Sequence, residues 1–118
     1  MMRPAADVQV YLCREFIDFR KGIAGLALLV EQGLQHDPFA AALYVFCNKQ
    51  RNRVKALYWE KNGFCLWQKR LERERFKWPR HLDKSVVDLS GQELNWLLDG
   101  FDLWGNPPHK TLQFHSVS

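Results

Sequence analysis

A chain of 118 residues, 47% of them hydrophobic, holds material for one core, which excludes a multidomain assembly and a disordered segment. Its apolar stretch Ile23 to Val30 is bounded by Arg20, Lys21 and Glu31, too short to cross a bilayer, and Met-Met-Arg-Pro begins no signal peptide, so a soluble cytoplasmic protein is expected. The formal charge of +4 is uneven: Lys49 to Lys84 carries twelve Lys or Arg against four acids and the remainder five against nine, so a basic middle lies between acidic ends.

Asp7 to Leu12 alternates, with Val8, Val10 and Leu12 on one side and Gln9 and Tyr11 on the other, the pattern of a first strand. Asp18 stands where a helix N-cap belongs. From Phe19 to Leu34 the apolar positions Phe19, Ile23, Leu26, Val30 and Leu34 share one helical face, and Gly33 with Asp37-Pro38 marks the end. Gly22 and Gly25 each weaken such a helix by about 1 kcal/mol relative to Ala. Close packing against a strand or a partner's backbone would account for them.

Leu43 to Cys47 is a continuous apolar run suited to a buried strand, Lys49 to Asn52 a polar turn, and Arg53 to Glu60 the neighbouring strand. Asn62-Gly63 is a hairpin signal that folds Phe64 to Arg70 back. Leu71 to Pro79 is dominated by charge, with Leu71, Phe76 and Trp78 available to pin it to the domain; a helical turn and an irregular strand both fit. Ser85 to Leu89 predicts a short strand. Ser90 and Glu93 form a capping box before Leu94, Leu97 and Leu98, predicting a short helix that ends near Gly100. The order is β-α-β-β-β-β-α: a single α+β domain over residues 1–104, mostly an antiparallel meander with one longer and one short helix. Residues 105–118 are expected to be a loosely attached tail.

Chemistry-bearing patterns are sparse. Cys13, Cys47 and Cys65 are far apart and read as small core residues. The four histidines are scattered, and Asp18, Asp88, Glu93, Asp99 and Asp102 match no metal spacing, so no catalytic residue, metal or cofactor is expected. No phosphate loop or dinucleotide fingerprint is present. The basic middle is the one feature that points to a partner. Lys49, Arg51, Arg53 and Lys55, with Lys69, Arg70, Arg73, Arg75, Lys77 and Arg80, form a candidate phosphate-contacting surface, in which Arg51, Arg53 and Lys55 share one strand face. A solvated strand face reads the same way. Trp59, Trp67 and Trp78 fill a core or stack on unpaired bases, Trp78 being the best placed for stacking. Arg20 and Lys21, cations at a predicted helix N-terminus, oppose its dipole; Arg20 pairs with Asp18 or an acidic strand residue, or reaches a phosphate or a partner protein.

The run Asp18-Phe19-Arg20-Lys21-Gly22-Ile23 with Gly25-Leu26-Ala27 resembles the Asp-Met-Arg-Lys-Gly-Phe-x-Gly-Leu-Ala signature of a family of accessory proteins called TnpB (Orf2-like). Insertion sequences of family sixty-six (IS66) encode these beside their transposase. Phe19 stands in place of Met. Leu43-Tyr44-Val45-Phe46, Lys55 through Trp59, Gly63 to Trp67, Lys69 to Arg73 and Phe76 to Pro79 follow the family's central block in order. Leu89 to Leu98 with Gly100 resembles its closing element, so the resemblance covers about residues 7 to 104. It is unrelated to the RNA-guided nuclease of the same name. What it implies is a role in transposition with DNA at the element ends, the transposase and a second small accessory protein as partners. Two readings stay open, a non-catalytic DNA-binding factor and a protein adaptor without DNA binding of its own. A metal-dependent nuclease is a third and weaker one.

Overall fold

The structure, a computed structural model, describes residues 3–105. Apart from Gly105, the predicted tail at 105–118 lies outside the described residues. Five strands form one sheet in the order β4-β3-β2-β1-β5: β1 Gln9–Cys13, β2 Ala42–Cys47, β3 Arg53–Glu60, β4 Gly63–Arg70 and β5 Val86–Ser90. Two helices, α1 Ile23–Leu28 and α2 Gly91–Leu98, complete the α+β fold in the predicted order. β1 and β2 pair in parallel, because the connection through α1 carries the chain back to the starting edge, and the other three pairings are antiparallel. Among the described residues no helix is long and apolar enough to cross a membrane.

β2 is buried along its whole length because it is central and covered on both faces. Its Leu43, Val45 and Cys47 join Val10, Leu12, Val54, Ala56 and the leucines of α2 on one face. Tyr44 and Phe46 join Leu26, Val30 and Leu57 on the other, beneath α1. Cys13 and Cys47 are buried and Cys65 half-buried, all as free thiols. Burial pushes the Cys47 thiol up to about 12 and raises that of Cys13 as well.

The first helix is shorter than its apolar periodicity predicts. It spans Ile23–Leu28 behind an extended Gly22 and continues as a wide π-type turn, Leu29–Gly33, in which Leu34 N–H donates to the Leu29 carbonyl at 2.9 Å. Asp18 does not cap it: its carboxylate accepts from the Arg20 backbone N–H at 2.9 Å, closing a tight turn that uses the residues before Gly22. The hairpin turn also sits one residue early. Glu60 pairs with Gly63, so Lys61 and Asn62 form the turn, with Lys61 supplying the left-handed backbone (φ 54°) and Gly63 opening β4.

Residues 71–80 are an irregular extended strap. Leu71 N–H donates to the Asn52 carbonyl and Phe76 N–H to the Arg51 carbonyl, both at 2.7 Å, and the Phe76 ring is fully buried. α2 begins as its sequence predicts: Ser90 Oγ accepts from Glu93 N–H at 3.1 Å, and the Glu93 carboxylate accepts from Ser90 N–H at 2.8 Å. Gly100, with φ 101°, ends it.

Candidate nucleic-acid interface

The β2–β3 turn is organised by Asn48, a buried amide. Its Oδ1 accepts from the backbone N–H groups of Asn52 (3.1 Å) and Arg53 (3.0 Å), and its Nδ2 donates to Asn52 Oδ1 at 2.7 Å. The turn forces Arg51 into the left-handed region (φ 61°), which costs a residue with a Cβ roughly 1 kcal/mol. Lys49 and Arg51 project from it, both exposed. Because the strap is hydrogen-bonded to the carbonyls of Arg51 and Asn52, the two basic stretches of the sequence meet here. Arg73 and Arg75, exposed, lie in the strap segment between those two hydrogen bonds, alternating with Glu72 and Glu74.

Arg51 and Lys77 line one open recess of about 190 Å³ together with His81, Asp102, Trp78, Trp104 and Gly105. The Trp104 indole N–H donates to the Lys77 carbonyl at 2.5 Å, fixing the ring, while Asp102 Oδ1 accepts from the backbone N–H groups of Trp104 (3.0 Å) and Gly105 (2.8 Å). Sequence reasoning passed over His81, Trp104 and the organising role of Asn48. No local pattern links Trp104 to Lys77, which lie 27 positions apart.

Several predicted contact residues stand elsewhere. Lys55 is buried, and its ammonium donates to the carbonyls of Phe19 (2.8 Å) and Lys21 (2.9 Å), so it cannot face a phosphate. Burial holds its pKa below the ordinary lysine range, Arg53 adding to the effect and Asp18 opposing it. Arg51 does not share a strand face with Arg53 and Lys55, since it lies in the turn before β3. Trp78 is buried and donates its indole N–H to the Cys13 carbonyl at 3.0 Å, which leaves no ring free for a base. The Lys69 ammonium donates at 2.9 Å to the carbonyl of Leu98, at the negative end of α2. Arg53 lies half-buried, 5.6 Å from the centre of the Phe19 ring. Arg80 pairs with Glu15 at 2.8 Å over the Phe16 ring, and Arg70 lies 3.9 Å from Glu72.

The Asp18–Lys21 segment forms a separate corner. The Arg20 guanidinium clasps the Asp18 carboxylate at 2.6 Å through Nη2 and 3.0 Å through Nε, yet remains largely exposed. That ion pair, with the Arg20 backbone N–H, holds the Asp18 carboxyl down at about 2. Among the described residues, no three His, Cys, Asp or Glu side chains are grouped to hold a metal ion.

A family model described as IS66 Orf2 like protein matches residues 8–107. Two proteins of Sinorhizobium fredii (strain NBRC 101917 / NGR234) are similar. The uncharacterized protein y4hO is 33% identical over 107 residues, covering 91% of each chain. The uncharacterized protein y4jC is 31% identical over 102 residues, covering 86% of each. No solved structure gives a significant match to the chain.

Proposed function

Because the chain belongs to the IS66 Orf2-like family of insertion-sequence accessory proteins, we propose that it serves transposition as a non-catalytic DNA-binding factor beside the element's transposase and second small protein, in the cytoplasm. The observation that carries this reading is the joining of the β2–β3 turn to the strap, which gathers Lys49, Arg51, Arg73, Arg75 and Lys77 at one end of the sheet. A cluster of exposed cations displaces condensed counterions from a phosphate backbone, and that release drives binding. The acids Glu72 and Glu74 in the strap reduce the local field without abolishing it.

Fluorescence polarisation of labelled element-end duplex, unrelated duplex and single strand across a salt series tests the reading. Binding falls steeply with salt, and Arg51→Ala with Lys77→Ala flattens the slope by about one phosphate each. Absence of binding at low salt overturns it in favour of a protein adaptor. One observation favours that second reading. At the opposite end of β3, Phe39 is 55% exposed and packs edge-on against Trp59 at 5.0 Å, with Phe64 5.3 Å away, an aromatic surface suited to a protein partner.

A further inference from the structure

The recess between the β2–β3 turn and the strap is concave and part aromatic, and it sets two cations beside an indole ring. We infer that it is a seat for one unpaired nucleotide of single-stranded DNA, with the base against Trp104 and the adjoining phosphate held by Arg51 and Lys77. The inference rests on the DNA-binding reading above and narrows it.

Four observations converge. Trp104 is half-buried, and its indole is tethered to the Lys77 carbonyl, so the ring is set in place before any ligand arrives and little freedom is lost on stacking. Trp78, which also lines the recess, is locked by its own hydrogen bond to the Cys13 carbonyl, so this wall is rigid as well. Arg51 and Lys77 are exposed at the rim, and the strained backbone of Arg51 is maintained by the buried Asn48 amide, whose bonds fix the side chain's point of departure. Finally, about 190 Å³ is less than the roughly 300–1,000 Å³ of pockets that enclose a small-molecule ligand, so the space suits a single flat ring and not a whole nucleotide. The sugar and phosphate would lie outside, where the two cations are.

Asp102 shapes this selectivity. Its carboxylate is held by two backbone N–H groups and faces the same recess, so it repels a phosphate from the interior while leaving the rim cations free. A base paired within a duplex cannot offer its face to Trp104. Stacking on an aromatic platform is tolerant of sequence, since every base has a π-face, and little preference among the four bases is expected.

The test compares the full chain and its Trp104→Ala and Trp104→Phe variants against a labelled oligothymidylate and a duplex of matched length. Trp104→Ala is expected to weaken single-strand binding roughly tenfold and leave duplex binding unchanged, with Trp104→Phe, which keeps a ring but loses the tether to Lys77, restoring part of it. An independent arm needs no variant: oligothymidylates in which successive nucleotides are replaced by abasic spacers bind the wild-type chain more weakly than the intact strand. Equal affinity for intact and abasic strands, or equal loss on single strand and duplex in a folded Trp104→Ala, overturns the nucleotide seat while leaving DNA binding in place. No binding of either nucleic acid to the wild type overturns both.

Discussion

Lys55 meets Phe19 twice: its ammonium donates to the Phe19 carbonyl at 2.8 Å and lies 4.7 Å from the centre of the Phe19 ring. With the second bond to the Lys21 carbonyl, the Asp18–Lys21 turn closes over a buried cation projecting from β3. Sheet and turn are thereby locked by one side chain.

Lys55→Met therefore removes the donor from two carbonyls and from the face of a ring. Hydrogen bonds to a charged group contribute about 1.5–3 kcal/mol, and orphaned acceptors add a desolvation cost. Urea unfolding is expected to show a lower midpoint, by about 2–3 kcal/mol of stability, at an unchanged slope. Lys55→Arg does not rescue it, because a planar guanidinium does not fit between two carbonyls arranged for an ammonium. A midpoint equal to wild type would contradict the arrangement.

The Asp18–Arg20 pair has a pH signature. A carboxyl lowered from 3.8 to about 2 in the folded chain contributes stability that is complete above 3.8 and is lost as pH falls through about 2. Carbon-detected NMR of the side-chain carboxyl should show Asp18 titrating near the lower value, and Arg20→Gln should move it up toward the ordinary one. An Asp18 that titrates normally in the wild type would show that the pair does not persist in solution.

Two glycines make opposite predictions. A Cβ on Gly91 would lie 1.7 Å from the Ala5 carbonyl oxygen and 2.8 Å from Val8 Cγ1, so the N-terminal segment would have to leave α2. Gly91→Ala is expected to destabilise by about 3 kcal/mol or more. A Cβ on Gly33 would lie 2.6 Å from Leu29 Cδ1, the far end of a flexible side chain that can rotate away. Gly33→Ala is expected to change stability by less than about 1 kcal/mol. Thermal melts of the two variants separate a backbone obstacle from a yielding one, and similar melting temperatures would refute the distinction.

What the sequence revealed follows the range of the forces involved. The capping box at Ser90 and Glu93 is local, and the alternation in Arg53–Glu60 is periodic, so both were legible and placed to within a residue. The ion pair of Asp18 with Arg20 spans two positions and was legible as one of the open choices. The fate of Lys55 was not, since alternation gives a residue's face but not what covers that face, and here Phe19 covers it. Trp78 misled for the same reason: its charged sequence neighbours suggested exposure, whereas strap geometry turns Phe76 and Trp78 inward and the charges outward. The recess is assembled from the turn, the strap and the segment after α2, three stretches with no shared periodicity, and only tertiary packing brings them together.

Gly25 tests the remaining expectation about the signature segment. Close packing of α1 on a strand would have explained a glycine there, but a Cβ at this position meets only the Lys21 side chain, at 3.6 Å or beyond, an ordinary contact. Among the described residues, then, no close contact offsets the helix stability that Gly25 costs. Gly25→Ala is expected to stabilise the fold by about 0.5–1 kcal/mol, raising the melting temperature by roughly 3–5 °C for a domain of this size. A lower melting temperature would mean that the space beside α1 is tighter than described. If the glycine has a role it is to admit another molecule's backbone, for which the flanking Ile23 and Leu28, 40% and 52% exposed, would give an apolar surface. A Gly25→Ala chain that melts higher yet co-purifies less with the proposed partners, a transposase and a second small protein, would place a protein contact on α1, apart from the basic end. Undiminished co-purification would remove that contact and leave the basic end and the Phe39–Trp59–Phe64 surface as the proposed docking sites.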